Sequence, residues 1–129
     1  MYLFDTNIFL EILLAQRNLE SAKKCLTLLG PEKRGLFSSF SFHAIEAIVG
    51  ARKRRGVLID FIHFFVRHPY LERYDTSLEE ELEIAQLSSQ INLDFDDSAQ
   101  YYIAKKFNLA LVTFDADFKK LKDIQVIYP

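Results

Sequence analysis

The sequence predicts a three-layer α/β domain, with a central, mostly parallel sheet of about five strands and helices on both faces. Two observations carry that prediction. Short apolar runs suited to buried strands recur along the chain, each followed by enough amphipathic sequence for one or two helices. Parallel strands need such crossover connections, because a tight hairpin can join only antiparallel neighbours. The chain also has the material for one core: 129 residues, 50% hydrophobic and 14% aromatic, with only 4 Gly and 3 Pro available for linkers. No internal repeat and no shift in composition divides it, so residues 1–129 are read as one domain.

Tyr2-Leu3-Phe4 reads as a short buried strand, followed by a helix from Thr6 or Asn7. Asn18 is a candidate cap for a second helix, in which Ala22, Cys25, Leu26 and Leu29 form an i, i+3, i+4, i+7 stripe ending at Gly30-Pro31. Leu36-Phe37-Ser38-Ser39 is the second strand. Ser41 precedes a helix with Ile45, Ile48 and Val49 on one side, ending in Arg52-Lys53-Arg54-Arg55-Gly56. Val57 to Val66 is a further helix, apolar nearly all round, and His68-Pro69 stops it. Leu71 to Tyr74 is a weaker strand. Ser77-Leu78-Glu79-Glu80 has the pattern of a capping box and opens a helix through Ile84, Leu87 and Ile91. Another helix begins near Asp96-Asp97 and carries Ala99, Ile103 and Phe107. Ala110 to Thr113 is a strand, Asp117 to Leu121 a short helix, and Ile124 to Tyr128 a last strand.

Charge and cysteine content narrow the function. Lys and Arg number 16 against 18 for Asp and Glu, a formal charge of −2. That argues against a protein held to nucleic acid by bulk positive charge, but leaves room for a nuclease whose phosphate contact runs through a metal ion. Cys25 is the only cysteine, so neither an intrachain disulfide nor a thiolate zinc site is expected. Met1-Tyr2-Leu3-Phe4-Asp5 lacks the basic start of a signal peptide. The stretch Val57–Val66 is interrupted by Asp60 and His63 and is too short to span a bilayer. A cytoplasmic protein with no membrane partner is expected.

In parallel sheets, ligands bind beyond the carboxyl ends of the strands. Asp5 directly follows the first strand, and Asp115 closely follows the fourth, in Thr113-Phe114-Asp115-Ala116-Asp117. Asp97 falls in the first turn of its helix. Glu46 sits mid-helix between Ile45 and Ala47, beside the apolar face, where an unpaired charge is costly to bury. Taken singly, Asp5, Asp97 and Asp115 read as helix caps and Glu46 as a solvated or salt-bridged helix residue. Together, four carboxylates at one sheet edge repel one another and call for a cation. No run of Lys or Arg lies close enough in sequence to serve. Oxygen ligands without Cys or paired His select a hard ion such as Mg²⁺ or Mn²⁺.

Asp5-Thr6-Asn7 after an opening strand, Glu46 some forty residues on, Asp97 with Ala104 seven later, and Thr113-x-Asp115-x-Asp117-Phe118 resemble the PIN-domain nucleases. The short format is similar to the VapC toxins of prokaryotic toxin–antitoxin pairs. The resemblance covers essentially the whole chain and implies a PIN-like fold. It also implies Mg²⁺- or Mn²⁺-dependent hydrolysis of RNA phosphodiesters, leaving 5′-phosphate and 3′-hydroxyl ends. Carried over residue by residue, it implies Asp5, Glu46, Asp97 and Asp115 as the catalytic acids, with Asp5, Asp97 and Asp115 as metal ligands. Asp117 becomes an auxiliary acid, and Asn7 and Thr113 become polar supports. Asp97 is preferred over Asp96 because Ala104 then falls at the family's spacing, leaving Asp96 as the helix cap. Ser98 stands where the family often has Ala. A homodimer and an antitoxin partner are further implications; the alternatives are a PIN nuclease that processes RNA without an antitoxin, or a non-catalytic interaction module that retains the fold. A phosphoacceptor receiver domain, also α/β with clustered acids, fits less well, because that site expects paired acids after the first strand and Asp5 is a single one.

Arg52, Lys53, Arg54 and Arg55 form the one dense basic run. It reads either as cations at a helix C-terminus or as a contact for RNA backbone or an acidic partner. His43, three residues before Glu46, reads as a packed or supporting residue, and His63 and His68 as structural. Phe61 and Phe65, with Ile62, Phe64 and Val66, give their helix more apolar surface than one stripe needs. Burial in the domain and burial in an interface between subunits both remain open, with the interface favoured.

Overall fold

The computed structural model describes residues Met1–Pro129. Its strands form where the sequence places apolar runs: β1 (Tyr2–Phe4), β2 (Gly35–Ser38), β3 (Leu71–Tyr74), β4 (Ala110–Val112) and β5 (Val126–Ile127). All pairings are parallel and the order is β3-β2-β1-β4-β5. Successive side chains point to opposite faces, so each strand supplies two cores. Phe4, Phe37 and Val112 enter one core, and Leu3 and Leu111 enter the other.

The first core is roofed by α1 (Thr6–Leu13), α2 (Leu19–Leu26), α3 (Ser39–Ala51) and α4 (Arg55–Arg67). Phe9, Phe37, Phe42, Phe61 and Phe65 form its centre, with neighbouring ring centroids 4.7–6.4 Å apart. The interface favoured for Phe61 and Phe65 is therefore corrected: both are buried within this chain, at 3% and 8% exposure. The outward residues of α4 are instead Ile59, Phe64 and Val66.

On the opposite face lie α5 (Leu78–Ile91) and α6 (Phe95–Lys106), with Ile103 and Ala104 packed on Leu3 and Leu111. The capping box of Ser77 and Glu80 forms as expected. Glu80 is held well below the usual carboxylate range, at about 2, because bonds from Tyr74, Lys106 and the Ser77 backbone outweigh the cost of its burial.

Several boundaries differ from expectation for local reasons. The second helix stops at Leu26, three residues before the end of its apolar stripe, and the chain then closes a small bridge between Gly30 and Lys33. Ser38, rather than a residue near Ser41, caps α3, accepting from the Ser41 N–H. The cap of α6 is Asp94, which accepts from the Asp97 N–H at 2.9 Å, so Asp96 is not the cap. The short helix expected at Asp117–Leu121 is a 3-10 helix one residue earlier, Ala116–Lys120, and only Val126–Ile127 of the final stretch pairs. No helix is long and apolar enough to cross a membrane.

Candidate active site

The strand order reverses direction between β1 and β4. The chain builds outward from β1 through β2 to β3, then returns to set β4 on the other side of β1. Such a switch point opens a crevice at the carboxyl edge of a parallel sheet. Asp5 leaves β1 there, and Thr113 to Asp117 leave β4 beside it.

Asp5 is 7% exposed and is also the N-cap of α1, so its cap role and its place in the crevice coexist. Its Oδ1 accepts from the Thr6 N–H at 2.7 Å and from Gln100 Nε2 at 3.1 Å. Its Oδ2 accepts from Thr113 Oγ1 at 2.7 Å and from Asn7 Nδ2 at 3.3 Å. Burial pushes its carboxyl above the usual range, and these donors pull the other way. Asn7 also touches Thr113 Oγ1 and accepts from the Phe114 N–H, which ties β1 to the loop after β4.

Asp115 caps the 3-10 helix by accepting from the Asp117 N–H at 2.9 Å, while its own N–H donates to Thr113 Oγ1 at 2.9 Å. The tight turn brings Asp115 and Asp117 back toward α6. Carboxylate oxygens of Asp97, Asp115 and Asp117 all lie within 4.8 Å of one another. Asp97 is half-buried and accepts no side-chain hydrogen bond, whereas Asp96 is exposed. Burial, followed by the charges of Asp94, Asp115, Asp5 and Asp117, pushes the Asp97 carboxyl up to about 7. Three crowded acids, two of them half-buried, offer oxygen ligands of the kind that could hold a metal ion.

Asp97 and Asp115 thus converge as expected, Asp117 joins them more closely than an auxiliary role suggests, and Asp5 sits at their rear, near enough for its charge to act on Asp97 and Asp115. Glu46 is half-buried on α3, without an ion pair or hydrogen bond, and outside the three-acid group. Sequence reasoning missed Gln100 and Ser41. Gln100 Nε2 donates to Ser41 Oγ at 2.7 Å as well as to Asp5, and Ser41 in turn meets Thr6 Oγ1 at 2.8 Å and Ser38 Oγ at 3.1 Å. The available signal was the placement of Gln100 three residues after Asp97, on the same side of the helix and among residues that are otherwise mostly apolar, Ala99 to Ala104.

The histidines stand apart from the acids. His43 is exposed with its ring 3.4 Å from Arg73, His63 is exposed, and His68 Nδ1 accepts from the Tyr70 N–H. Arg52–Arg55 are exposed and span the end of α3, a turn with Lys53 at φ 57°, and the start of α4. A helix C-terminus explains Arg52, but Arg54 and Arg55 open the next helix, where the macrodipole disfavours cations. The run lies a full length of α3, about 20 Å, from the edge where that helix begins.

A family model described as the PIN domain matches residues 2–124. No curated protein sequence matches the chain. Among solved structures, a toxin–antitoxin complex from Klebsiella pneumoniae has a TM-score of 0.71 at 23% identity, over 98% of this chain and 96% of that one. VapBC2 from Rickettsia felis, bound to a DNA fragment from its promoter, has a TM-score of 0.74 at 19% identity, over 98% and 97%. VapC20 of Mycobacterium tuberculosis, described as a Sarcin-Ricin loop cleaving toxin, reaches a TM-score of 0.80 at 11% identity, over 97% and 99%. At these identities the likeness is one of fold.

Proposed function

The chain belongs to the PIN domain family, and from that premise we propose that it is a Mg²⁺- or Mn²⁺-dependent endoribonuclease, the toxin of a type II toxin–antitoxin pair. The observation that carries this reading is the convergence of Asp97, Asp115 and Asp117 in front of the buried, fully hydrogen-bonded Asp5 at the sheet's switch point. We take residues 1–129 as one PIN-like nuclease domain acting in the cytoplasm.

Asp5, Asp97 and Asp115 would hold the cation, with Asp117 close enough to share in it. Bound there, a divalent ion supplies Lewis-acid activation of water and neutralises charge on the phosphate and the leaving oxygen. The protein's own part is electrostatic and positional. Crowded acids make the site avid for positive charge, and a cation held there would favour the ionised form of Asp97, whose carboxyl is pushed up by burial and by its neighbouring acids. Thr113 and Asn7 orient Asp5, and Thr113 also fixes the backbone at Asp115. Glu46, free of partners, is assigned as the remaining catalytic acid, engaged when substrate and metal are present. Products would carry 5′-phosphate and 3′-hydroxyl ends.

Arg52, Lys53, Arg54 and Arg55 are assigned to RNA backbone remote from the cut. The reported action of VapC20 on the Sarcin-Ricin loop supports RNA as the substrate class. An antitoxin and a homodimer are the expected protein partners. Support for the first comes from an apolar groove of about 390 Å³ lined by Phe9, Ile12, Leu13, Leu26, Val57, Phe61 and Phe64. A larger groove of about 830 Å³ between α5 and α6 is lined mostly by polar residues and holds none of the candidate catalytic acids, so it has no part in the proposed cleavage.

Expression in a bacterial host tests the toxin reading: the wild-type chain should arrest growth and leave ligatable 5′-phosphate RNA fragments, while Asp115→Asn should do neither. Arrest that persists in the Asp115→Asn protein would refute it.

A further inference from the structure

Gln100 is 3% exposed, and its side chain reaches Asp5 beside the acid cluster, where Nε2 donates to Asp5 Oδ1 at 3.1 Å and Ser41 Oγ at 2.7 Å. Its Oε1 is the one buried side-chain nitrogen or oxygen in the protein that lacks a hydrogen-bond partner. Turning the amide over would set Oε1 against the Asp5 carboxylate, acceptor against acceptor. The orientation that keeps a donor on Asp5 therefore leaves Oε1 orphaned. Leu or Met would fill the same space without burying an acceptor, but would forfeit the two hydrogen bonds from Nε2, so the orphaned Oε1 is tolerated for the sake of the bonds to Asp5 and Ser41.

The other donors to Asp5 are Thr6 and Asn7 of α1 and Thr113 after β4. Gln100 is the only donor to it from α6, the helix that carries Asp97 one turn earlier. The amide therefore sets the spacing between the acid of β1 and the acid of α6, and through Ser41 it anchors both to α3. We propose that Gln100 is a positioning residue that fixes the Asp5 carboxylate relative to Asp97 so that the two receive one divalent cation together. This rests on the metal-dependent reading given above.

The test is titration of MnCl₂ into the purified full chain by calorimetry, for wild type, Gln100→Leu and Gln100→Met, with melting temperatures taken in EDTA. Outer partners of metal ligands typically change metal affinity about 10- to 100-fold. Both variants should bind Mn²⁺ weaker by that factor while remaining folded, with a cooperative melt in EDTA. In RNA cleavage, the Mn²⁺ concentration for half-maximal rate should rise equally, with the rate recovering at saturating Mn²⁺. Wild-type Mn²⁺ affinity in a folded variant overturns the proposal, as does a rate that stays low at saturation. Unfolding of both variants assigns Gln100 to the fold and overturns it too. If the wild-type chain binds no Mn²⁺, the metal-dependent reading itself fails, which the variants alone do not decide.

Discussion

Replacing Asp97 by Asn should stabilise the metal-free protein while destroying its use for a cation. In the folded chain the Asp97 carboxyl lies at about 7, against an ordinary 3.8, chiefly because of burial and then of neighbouring acids. A folded pKa above the unfolded one means that protonation favours the native state. That contribution is complete below about pH 4 and is lost as pH rises toward 7. A rise from 3.8 to about 7 corresponds to a ceiling of ~4 kcal/mol at ~1.36 kcal/mol per pH unit. Asp97 is only half-buried, so screening by water reduces the expected penalty at pH 8 to ~1–2 kcal/mol. At ~3–5 °C per kcal/mol for a chain of this size, Asp97→Asn should melt ~3–10 °C higher than wild type in EDTA at pH 8. The gap should close as pH falls toward 4. Saturating Mn²⁺ should reverse the order, because ligand binding to the native state stabilises wild type and has little hold on the variant. Melting curves at pH 8, 6 and 4.5, each in EDTA and in Mn²⁺, give all the comparisons. An Asp97→Asn protein that melts at or below wild type in EDTA at pH 8 would refute the crowding of charge on which the site depends.

Glu46→Gln should slow RNA cleavage by at least ~10²-fold, the usual scale for loss of a positioned acid or base, with melting unchanged because Glu46 has no partner to lose; equal cleavage rates would remove it from the catalytic set. Replacing Arg52, Lys53, Arg54 and Arg55 with Ser should weaken RNA binding and flatten the plot of log affinity against log salt by up to ~3, at ~0.7 per phosphate on single strands, with single-turnover cleavage of bound RNA unchanged. An unchanged salt slope would free the run from any RNA role. Phe61→Ala should cost ~3–5 kcal/mol in urea denaturation, because its ring packs on Phe9, Phe37, Phe42 and Phe65; a loss below ~1 kcal/mol would mean the aromatic centre is not packed as described.

The architecture was legible because strand and helix signals recur strictly along this chain. Tyr2-Leu3-Phe4 and Ala110-Leu111-Val112 have no helical period, and Ser77 to Glu80 announces its own helix. Asp5, Asp97 and Asp115 were legible from their positions just beyond strands or at a helix start. What sequence alone obscured was competition between nearby polar groups. Asp94, Asp96 and Asp97 all lie within reach of the same helix start, and only the folded backbone shows Asp94 accepting from the Asp97 N–H, which leaves the Asp97 carboxylate unbonded. Phe61 and Phe65 misled for a different reason. An apolar helix surface records that burial occurs but not whether the burying surface is in the same chain, and here Phe9, Phe37 and Phe42 supply it. Gln100 and Ser41 carry no motif, since their importance arises from meeting Asp5 across 95 positions in one case and Thr6 across 35 in the other.

Metal-dependent cutting of RNA by the acids at the switch point is the activity we propose. Its most direct test is incubation of purified protein with a structured RNA in Mg²⁺ or Mn²⁺, beside the same reaction in EDTA and with Asp97→Asn. Discrete cleavage is expected in either metal and none in either control. Cleavage that survives EDTA or the Asp97→Asn substitution would contradict it, as would a wild-type protein that neither cuts RNA nor melts higher when Mn²⁺ is added.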